Sequence, residues 1–253
     1  MAGMTDDLFR QDAYLRECSA HITAVTEAGI VLDRTVFYPL GGGQAGDSGV
    51  LVLADGTEIA IADTRKGKDA EGQPTNDIVH VPAPGQEALL AALTPGTTVT
   101  ARIDWERRHR MMRLHTTSHL LCHVVPQLVN GCSITPDYAR LDFAMTDPLD
   151  KEQLTAAIAA MVAAAHPLTV ASISDEELDA NPALVKSMSV QPPRGTGRIR
   201  TIRIGGEGDA PLIDLQPCGG THVANTAEIG AIVVTKIEKK SATTRRVVLG
   251  FVP

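Results

Sequence analysis

Residues 104–126 of this 253-residue chain read DWERRHRMMRLHTTSHLLCHVVP, and the interpretation of the rest of the sequence starts from them. Asp104 is a residue type that caps helix N-termini, and the residues after it have the apolar spacing of a helix. Pro126 lacks an amide donor and therefore ends or kinks a helix. The stretch predicts a helix over 105–125. In such a helix His115 and His119 lie one turn apart on the same face, so both imidazoles can reach one metal ion.

A second pair of metal-ligand groups lies far downstream, in Cys218-Gly-Gly-Thr-His222. The Gly-Gly step lets the backbone fold tightly, so that a thiolate and an imidazole can complete a tetrahedral zinc site. Either pair alone is weak evidence, because an i, i+4 histidine pair is more often a hydrogen-bonded polar stripe. The zinc-protease signature is excluded, since Thr116 follows the first histidine where that signature has Glu. Together the two pairs predict one zinc site.

Composition is typical of a globular protein, with 43% hydrophobic and 21% charged residues. No apolar run approaches the length of a membrane span, and the first ten residues lack a signal core, so a cytoplasmic location is expected. The four cysteines show no paired spacing, and we expect them to be reduced. The net charge of −7 does not indicate a nucleic-acid partner, and the 3% of aromatic residues argues against a base-stacking platform.

The order of predicted elements indicates an α+β protein with two domains, residues 1–100 and 101–253. Regularly spaced strands between Gly and Asp turns favour a small β-barrel-like N-terminal domain or a sandwich. The later domain mixes helices and strands, which implies helices packed on one antiparallel sheet. Predicted strands are 22–26, 29–34, 36–38, 50–53, 58–62, 98–103, 169–173, 198–204, 212–216, 231–237 and 246–251. Predicted helices are 86–93, 105–125, about 151–165, and a short one that starts at the Ser174/Glu177 capping box.

A glycine-rich loop, Gly41-Gly42-Gly43-Gln44-Ala45-Gly46, formally matches the dinucleotide-binding fingerprint. That fingerprint requires a helix directly after the loop, whereas residues 50–53 have the pattern of a strand, so no nucleotide cofactor is expected. The loop is then either a turn without function or a close approach of the backbone to a ligand. Three successive glycines lose much chain entropy on folding, which favours the ligand interpretation.

Three motifs occur in a specific order: Thr35-Val-Phe-Tyr-Pro-Leu-Gly-Gly-Gly-Gln44, His115-Thr-Thr-Ser-His119 and Cys218-Gly-Gly-Thr-His222. Together they resemble the free-standing alanyl-tRNA editing proteins of the AlaX type, which are similar to the editing domain of alanyl-tRNA synthetase. The resemblance implies that residues 101–253 form a zinc-containing editing domain that hydrolyses the ester of mischarged tRNA(Ala). It implies zinc ligands at His115, His119, Cys218 and His222, catalytic roles for Gln44 and Thr35, and substrate binding by Gly41, Gly42 and Gly43. The family usually has an acid where this chain has Leu40, so no role for a carboxylate there is carried over.

Serine is the amino acid expected to be removed. A size filter cannot admit serine and exclude the smaller alanine, but a buried polar partner can demand the hydroxyl of serine, which alanine lacks. Thr35 is the candidate partner, and a surface threonine on a strand is the alternative. The tRNA acceptor end is A-form duplex, which proteins bind through shape and phosphate contacts. The candidates for those contacts are Arg107, Arg110, Arg245 and Arg246.

Two other functions fit the same residues. The four ligands could form a structural zinc site in an RNA-binding, translation-associated module without catalysis, or the protein could be a metallohydrolase of small esters or amides. The first predicts no turnover, and the second predicts activity on small substrates without RNA.

Overall fold

The computed structural model describes residues 5–192, 197–206, 208 and 210–252. It confirms the α+β class, with antiparallel sheets and few helices. The chain divides into two compact units, Met1–Gly41 with Ala45–His109, and Gly42–Gln44 with Arg110–Pro253. The sequence indicated a boundary at residue 100. Among the described residues, no helix is both long and apolar enough to cross a membrane.

The first unit is built mainly from antiparallel strands. Its elements are β1 (Asp6–Asp7), α1 (Leu8–Gln11), β2 (Glu17–Thr26), β3 (Gly29–Leu32), β4 (Arg34–Thr35), β5 (Gly49–Leu53), β6 (Glu58–Lys68), β7 (Pro74–Pro82), α2 (Glu87–Ala91), β8 (Thr98–Ile103) and the first residues of α3 (Trp105–Val124). Six strands pair in the closed order β2-β3-β7-β6-β5-β8, and β8 pairs with β2. Alternate residues of these strands, such as Ile59 and Ile61 on β6, point into one apolar core.

A buried ion pair fixes the segment that follows β4. The guanidinium of Arg108 is fully buried and donates to both carboxylate oxygens of Asp47 and, at 2.6 Å, to the carbonyl of Val36. Asp47 Oδ2 also accepts from the amide of Tyr38 at 2.7 Å. The predicted strand 36–38 is therefore wrong, because its backbone groups bond to side chains and to the amide of Asp47 rather than to a neighbouring strand.

The second unit contains two antiparallel sheets. Its elements after α3 are β9 (Val129–Ile134), β10 (Tyr138–Ala144), α4 (Lys151–Ala163), β11 (Leu168–Ile173), α5 (Asp175–Ala180), β12 (Ile199–Gly205), β13 (Leu212–Pro217), β14 (Ile232–Ser241) and β15 (Thr244–Phe251). The strand orders are β14-β15-β10-β9 and β11-β12-β13, rather than the one sheet that the sequence indicated. The Ser174/Glu177 capping box of α5 is confirmed.

The predicted long helix is confirmed as α3, which ends at Val124, two residues before Pro126. Its apolar side chains are buried around much of the helix circumference, among them Met111, Met112 and Leu121. The histidines at 115 and 119 are buried as well, each with 5% of its surface exposed. A helix buried on several sides holds its polar groups rigidly, and this one carries half of the predicted ligands.

Candidate metal centre

The second unit brings together the four predicted metal ligands, His115, His119, Cys218 and His222. One ligand atom from each lies within 4.8 Å of all the others. Cys218 Sγ is 3.5 Å from His115 Nε2 and 3.3 Å from His222 Nε2. Three imidazoles and one thiol at this spacing form a donor set that could hold a small tetrahedral cation.

A second polar group holds each imidazole through its Nδ1 atom. The three pairs are His115 with Gln44 Oε1 at 2.8 Å, His119 with Asp214 Oδ2 at 2.8 Å, and His222 with Thr116 Oγ1 at 3.1 Å. Because Nδ1 is engaged in every ring, Nε2 is the nitrogen left to face the cluster. Partners of this kind fix the orientation and tautomer of histidines that bind metals.

Gln44 connects the glycine loop to this cluster. Its side-chain oxygen accepts from His115 Nδ1 and from the amide of Thr221 at 3.1 Å, and its Nε2 donates to Thr221 Oγ1 at 2.8 Å. The side chain is fully buried. In the structure Gln44 thus orients His115. A direct contact of Gln44 with a substrate stays a prediction.

The middle of the glycine loop, Gly42–Gln44, belongs to the second unit and packs closely against β9. A Cβ atom added at Gly43, where φ is +85°, would lie 2.1 Å from Cys132 Sγ. The carbonyl of Gly43 also accepts from the amide of Ile134 at 2.8 Å. The approach to Cys132 and the positive φ are sufficient to explain the glycine at position 43. Substrate binding by Gly41, Gly42 and Gly43 stays a prediction.

The downstream motif also needs its second glycine for steric reasons. A Cβ atom at Gly220 would lie 2.1 Å from His115 Cε1 and 2.5 Å from its Nδ1. Arg200 clamps the turn, since its Nη1 donates to the carbonyls of Cys218 at 2.7 Å and Gly220 at 3.0 Å. The motif therefore folds around the imidazole that comes from α3.

The protonation states of Cys218 and His222 are suited to binding a cation. Burial raises the pKa of the Cys218 thiol, but electrostatic interactions and hydrogen bonds with the surrounding histidines, His115 foremost, outweigh burial and bring this pKa well below its usual value. Burial, together with the charge of His115, lowers the pKa of His222 well below its ordinary value. A thiolate and a neutral imidazole are the protonation states that bind metals.

The third imidazole is influenced by a buried carboxylate. Burial lowers the pKa of His119, but hydrogen bonds and charges from Asp214 and Cys218 prevail and raise it to about 9. Burial raises the pKa of Asp214, yet His119 and Lys186 bring it down to about 2. Asp214 is thus an anion held against the side of His119 that faces away from the cluster. Binding of a metal would displace the proton of His119.

Thr35 lies in the first unit and is fully buried, so the alternative of a surface threonine is wrong. His80 Nδ1 donates to the carbonyl of Ile30 at 3.0 Å, and burial lowers the pKa of His80 to about 4. The imidazole is therefore neutral, and its Nε2 accepts from Thr35 Oγ1 at 2.8 Å. Since its proton is used in this way, the threonine hydroxyl can act towards a further group only as an acceptor.

Two of the arginines predicted to contact RNA lie on α3. Arg107 Nη2 donates to the carbonyl of Gly46 at 3.1 Å, and Arg110 Nε donates to the carbonyl of Pro136 at 2.7 Å. The guanidinium of Arg110 also lies 4.1 Å from the centroid of the Phe251 ring. Both side chains are partly exposed. Their contact with RNA stays a prediction.

The other two arginines lie on β15. Arg245 is 8% exposed, and its guanidinium donates to the backbone carbonyls of Ser241, Thr244 and Thr146. These contacts give it a structural role and argue against contact with RNA. Arg246 is more exposed and forms a two-pronged ion pair with the carboxylate of Asp142, at 2.7 and 3.0 Å.

Sequence reasoning missed Asp214, Gln216, Thr116 and Lys186 at this site. A signal was available for the first two, because residues 214, 216 and 218 alternate along β13 and its extension and so share one face. Gln216 Nε2 donates to Asp214 Oδ2 at 2.8 Å. No pattern in the sequence connects Lys186 with the cluster.

Comparisons with known proteins agree with this architecture. The family model described as the Threonyl and Alanyl tRNA synthetase second additional domain matches residues 199–248, and that for tRNA synthetases class II (A) matches residues 10–107. The alanyl-tRNA editing protein AlaX-M of Saccharolobus solfataricus is 32% identical, over 96% of this chain and 98% of its own length. The protein of the same name from Methanosarcina mazei is also 32% identical, over 96% and 95%. The alanine–tRNA ligase of Metallosphaera sedula is 34% identical over 93% of this chain, which corresponds to 25% of the ligase.

Proposed function

The chain belongs to the alanyl-tRNA editing protein family, and we propose that it hydrolyses the ester of tRNA(Ala) mischarged with serine at a zinc site. The observation that carries the proposal is the convergence of His115, His119, Cys218 and His222 in one buried cluster. The relatives are named for alanyl-tRNA editing, and their alignment covers nearly the full length of both chains. The cytoplasm is the proposed place of action.

The chemistry of the donor set fits zinc, and so does the distance of Cys218 from two of the imidazoles. Tetrahedral zinc binds thiolate at about 2.3 Å and imidazole at about 2.0–2.1 Å, so neighbouring sulfur and nitrogen ligands are about 3.5 Å apart. Two sulfur–nitrogen distances in the cluster, 3.5 and 3.3 Å, agree with that spacing. When bound there, zinc would supply a Lewis acid that polarises an ester carbonyl or a water molecule.

The contribution of the protein itself is to hold the ligands in fixed positions. Gln44, Asp214 and Thr116 fix the three rings through Nδ1, so the ligand geometry exists before any substrate arrives. Preorganised groups reduce the reorganisation that accompanies the reaction. An aminoacyl ester is already activated, so hydrolysis needs mainly a positioned water molecule and exclusion of the correct amino acid.

Discrimination between serine and alanine is assigned to Thr35. Its hydroxyl proton is committed to His80, so the oxygen would accept a hydrogen bond from the hydroxyl of serine. Alanine has no donor to offer. Thr35 Oγ1 already accepts from the amide of Phe37 at 3.0 Å, so alanine would leave its remaining buried acceptor position unpaired, which penalises alanine. The partly exposed arginines Arg107, Arg110 and Arg246 are proposed to contact phosphates of the acceptor end.

One observation favours a second candidate function. Four protein ligands are typical of structural zinc sites, whereas catalytic sites keep one position for water or substrate. The alternative is therefore an RNA-binding, translation-associated module in which zinc stabilises the fold and no ester is cleaved.

A deacylation assay distinguishes the two functions. Purified protein is incubated with Ser-tRNA(Ala) and, separately, with Ala-tRNA(Ala), and the loss of the labelled amino acid is followed. The proposal predicts that wild type removes serine and leaves alanine, and that His119→Ala and zinc-depleted protein lose this activity. Re-addition of zinc should restore the depleted wild type. Zinc-loaded wild type that cleaves neither substrate would refute the proposal and favour the structural alternative.

A further inference from the structure

Lys186 is held beside the metal centre by its backbone as well as by its side chain. It follows the short 3-10 turn Pro182–Leu184. Its carbonyl accepts from the amide of Val129 on β9 at 2.9 Å, and the amide of Met188 donates to the carbonyl of Val129 at 2.9 Å. The segment around Lys186 is thus paired with the edge of the four-stranded sheet. Its side chain is 26% exposed and its ammonium forms an ion pair with Asp214 Oδ1.

The carboxylate that Lys186 contacts is entirely buried and uses both of its oxygens. Oδ2 accepts from His119 Nδ1 at 2.8 Å and from Gln216 Nε2 at 2.8 Å, and Oδ1 accepts from Lys186. Partners on both oxygens prevent the carboxylate from rotating about its Cβ–Cγ bond. A buried carboxylate that loses its cation has a strong tendency to turn towards another donor or towards water.

We propose that Lys186 is a positioning residue of the metal centre. It holds Asp214 in the orientation in which the carboxylate receives His119 Nδ1, and this keeps His119 Nε2 directed at the other three ligands. The inference rests on the zinc site of the proposed function. Lys186 acts through Asp214 and does not itself touch the metal or the ester.

The test compares Lys186→Met with Lys240→Met as a matched control. Lys240 Nζ also pairs with a buried aspartate of the second unit, Asp142 Oδ2 at 3.1 Å, but Asp142 contacts none of the four ligands. Zinc affinity is measured by competition with a chromogenic chelator. Thermal melting monitored by circular dichroism verifies the fold, and kcat and KM are measured on Ser-tRNA(Ala).

We expect Lys186→Met to weaken zinc binding about 10-fold and Asp214→Asn to weaken it about 10- to 100-fold, the range found for outer partners of metal ligands. Lys186→Arg should restore most of the affinity, and Lys240→Met should leave it unchanged. The double variant Lys186→Met/Asp214→Asn should bind zinc no more weakly than Asp214→Asn alone, because both changes remove the same support. In zinc-saturated Lys186→Met, kcat should fall while KM is unchanged.

Wild-type zinc affinity in folded Lys186→Met would overturn the inference, as would an additive loss in the double variant. A rise in KM at unchanged zinc affinity would also overturn it, since that result marks direct contact with the substrate. The outcomes separate this inference from the proposed function. A wild type that binds zinc but does not deacylate Ser-tRNA(Ala) refutes the function, while the affinities of the variants still decide the role of Lys186.

Discussion

Replacing Gly220 by alanine should damage the metal centre while the fold survives. The new Cβ would lie 2.1 Å from His115 Cε1, whereas carbon atoms in contact are about 3.5 Å apart. If the imidazole alone yields, it must move by about 1.4 Å. Its Nδ1 is 2.8 Å from Gln44 Oε1 and its Nε2 is 3.5 Å from Cys218 Sγ. Such a movement therefore disrupts the hydrogen bond to Gln44 and the spacing between the ligand atoms of His115 and Cys218.

The magnitude follows from the interactions that are lost. A buried hydrogen bond left unsatisfied costs about 1–3 kcal/mol. If this energy appears in zinc binding, the affinity falls roughly 10- to 100-fold, because each 1.4 kcal/mol is a factor of ten. A displacement of about 1 Å at a reacting centre reduces the rate by about 100-fold. We therefore expect the Gly220→Ala protein to lose about two orders of magnitude in Ser-tRNA(Ala) deacylation.

The assay pairs chelator competition with deacylation, and Gly131→Ala serves as the control. Gly131 lies on β9, and a Cβ there would meet only Asp142 Oδ2, at an ordinary contact distance of 3.8 Å. This control should bind zinc and deacylate like wild type. If Gly220→Ala keeps the zinc affinity and the deacylation rate of wild type, the argument that the glycine makes room for His115 is refuted.

Three further changes test contacts within each of the two units. Arg108→Met leaves Asp47 buried without its cation, and urea denaturation should show a loss of about 3–5 kcal/mol; a loss below about 1 kcal/mol would contradict the assigned role. Gly43→Ala, at φ +85°, should lower the free energy of unfolding by more than about 1 kcal/mol. Adding Cys132→Ala should recover the part due to the clash with Sγ, but not the part due to the positive φ or to the contact with the backbone carbonyl of residue 132, at 3.2 Å. Burial raises the pKa of Asp142, but the basic side chains paired with it outweigh burial and hold its pKa below the usual value. The ionised carboxylate therefore stabilises the fold at neutral pH, and this contribution is lost as the pH falls below about 4. The difference in unfolding free energy between wild type and Asp142→Asn should therefore shrink in acid, and a difference independent of pH would contradict the assignment.

Elements with strong local signals could be predicted from the sequence. The long helix α3 was found from its apolar spacing and Pro126, α4 from its alanine-rich helical pattern, and α5 from its capping box. Strand β10 was missed although Ala139, Leu141 and Phe143 alternate correctly and are buried. Strands β7 and β9 begin or continue with residues typical of turns, so local propensity did not predict them. In the folded protein, pairing with neighbouring strands outweighs this local preference.

The four ligands could be predicted because each pair is local and its residue types are specific. The hydrogen-bond partners of the ligands could not be predicted, since they depend on contacts between residues far apart in the sequence. Gln44 is 71 residues from His115, and Asp214 is 95 residues from His119. An amide and a carboxylate are common residue types with many uses, so their identity alone does not assign them to a metal site. The glycine loop was noticed, but the packing of Gly43 against Cys132 could not be predicted, and substrate binding by the loop stays a prediction.

The hydrogen-bond partners of the three imidazoles belong to the metal centre as much as the two ligand motifs do. The three imidazoles use chemically different partners, a neutral amide, a carboxylate and a hydroxyl. The carboxylate raises the basicity of His119 in the absence of metal and would make it a stronger donor to a bound cation. Gln44 orients His115 without adding charge. The anions of Asp214 and Cys218 would offset the charge of a divalent cation, and the ammonium of Lys186, on the outer side of the carboxylate, leaves the group with one net positive charge. By this reasoning, removal of either anion should weaken zinc binding more than removal of the neutral Gln44 amide.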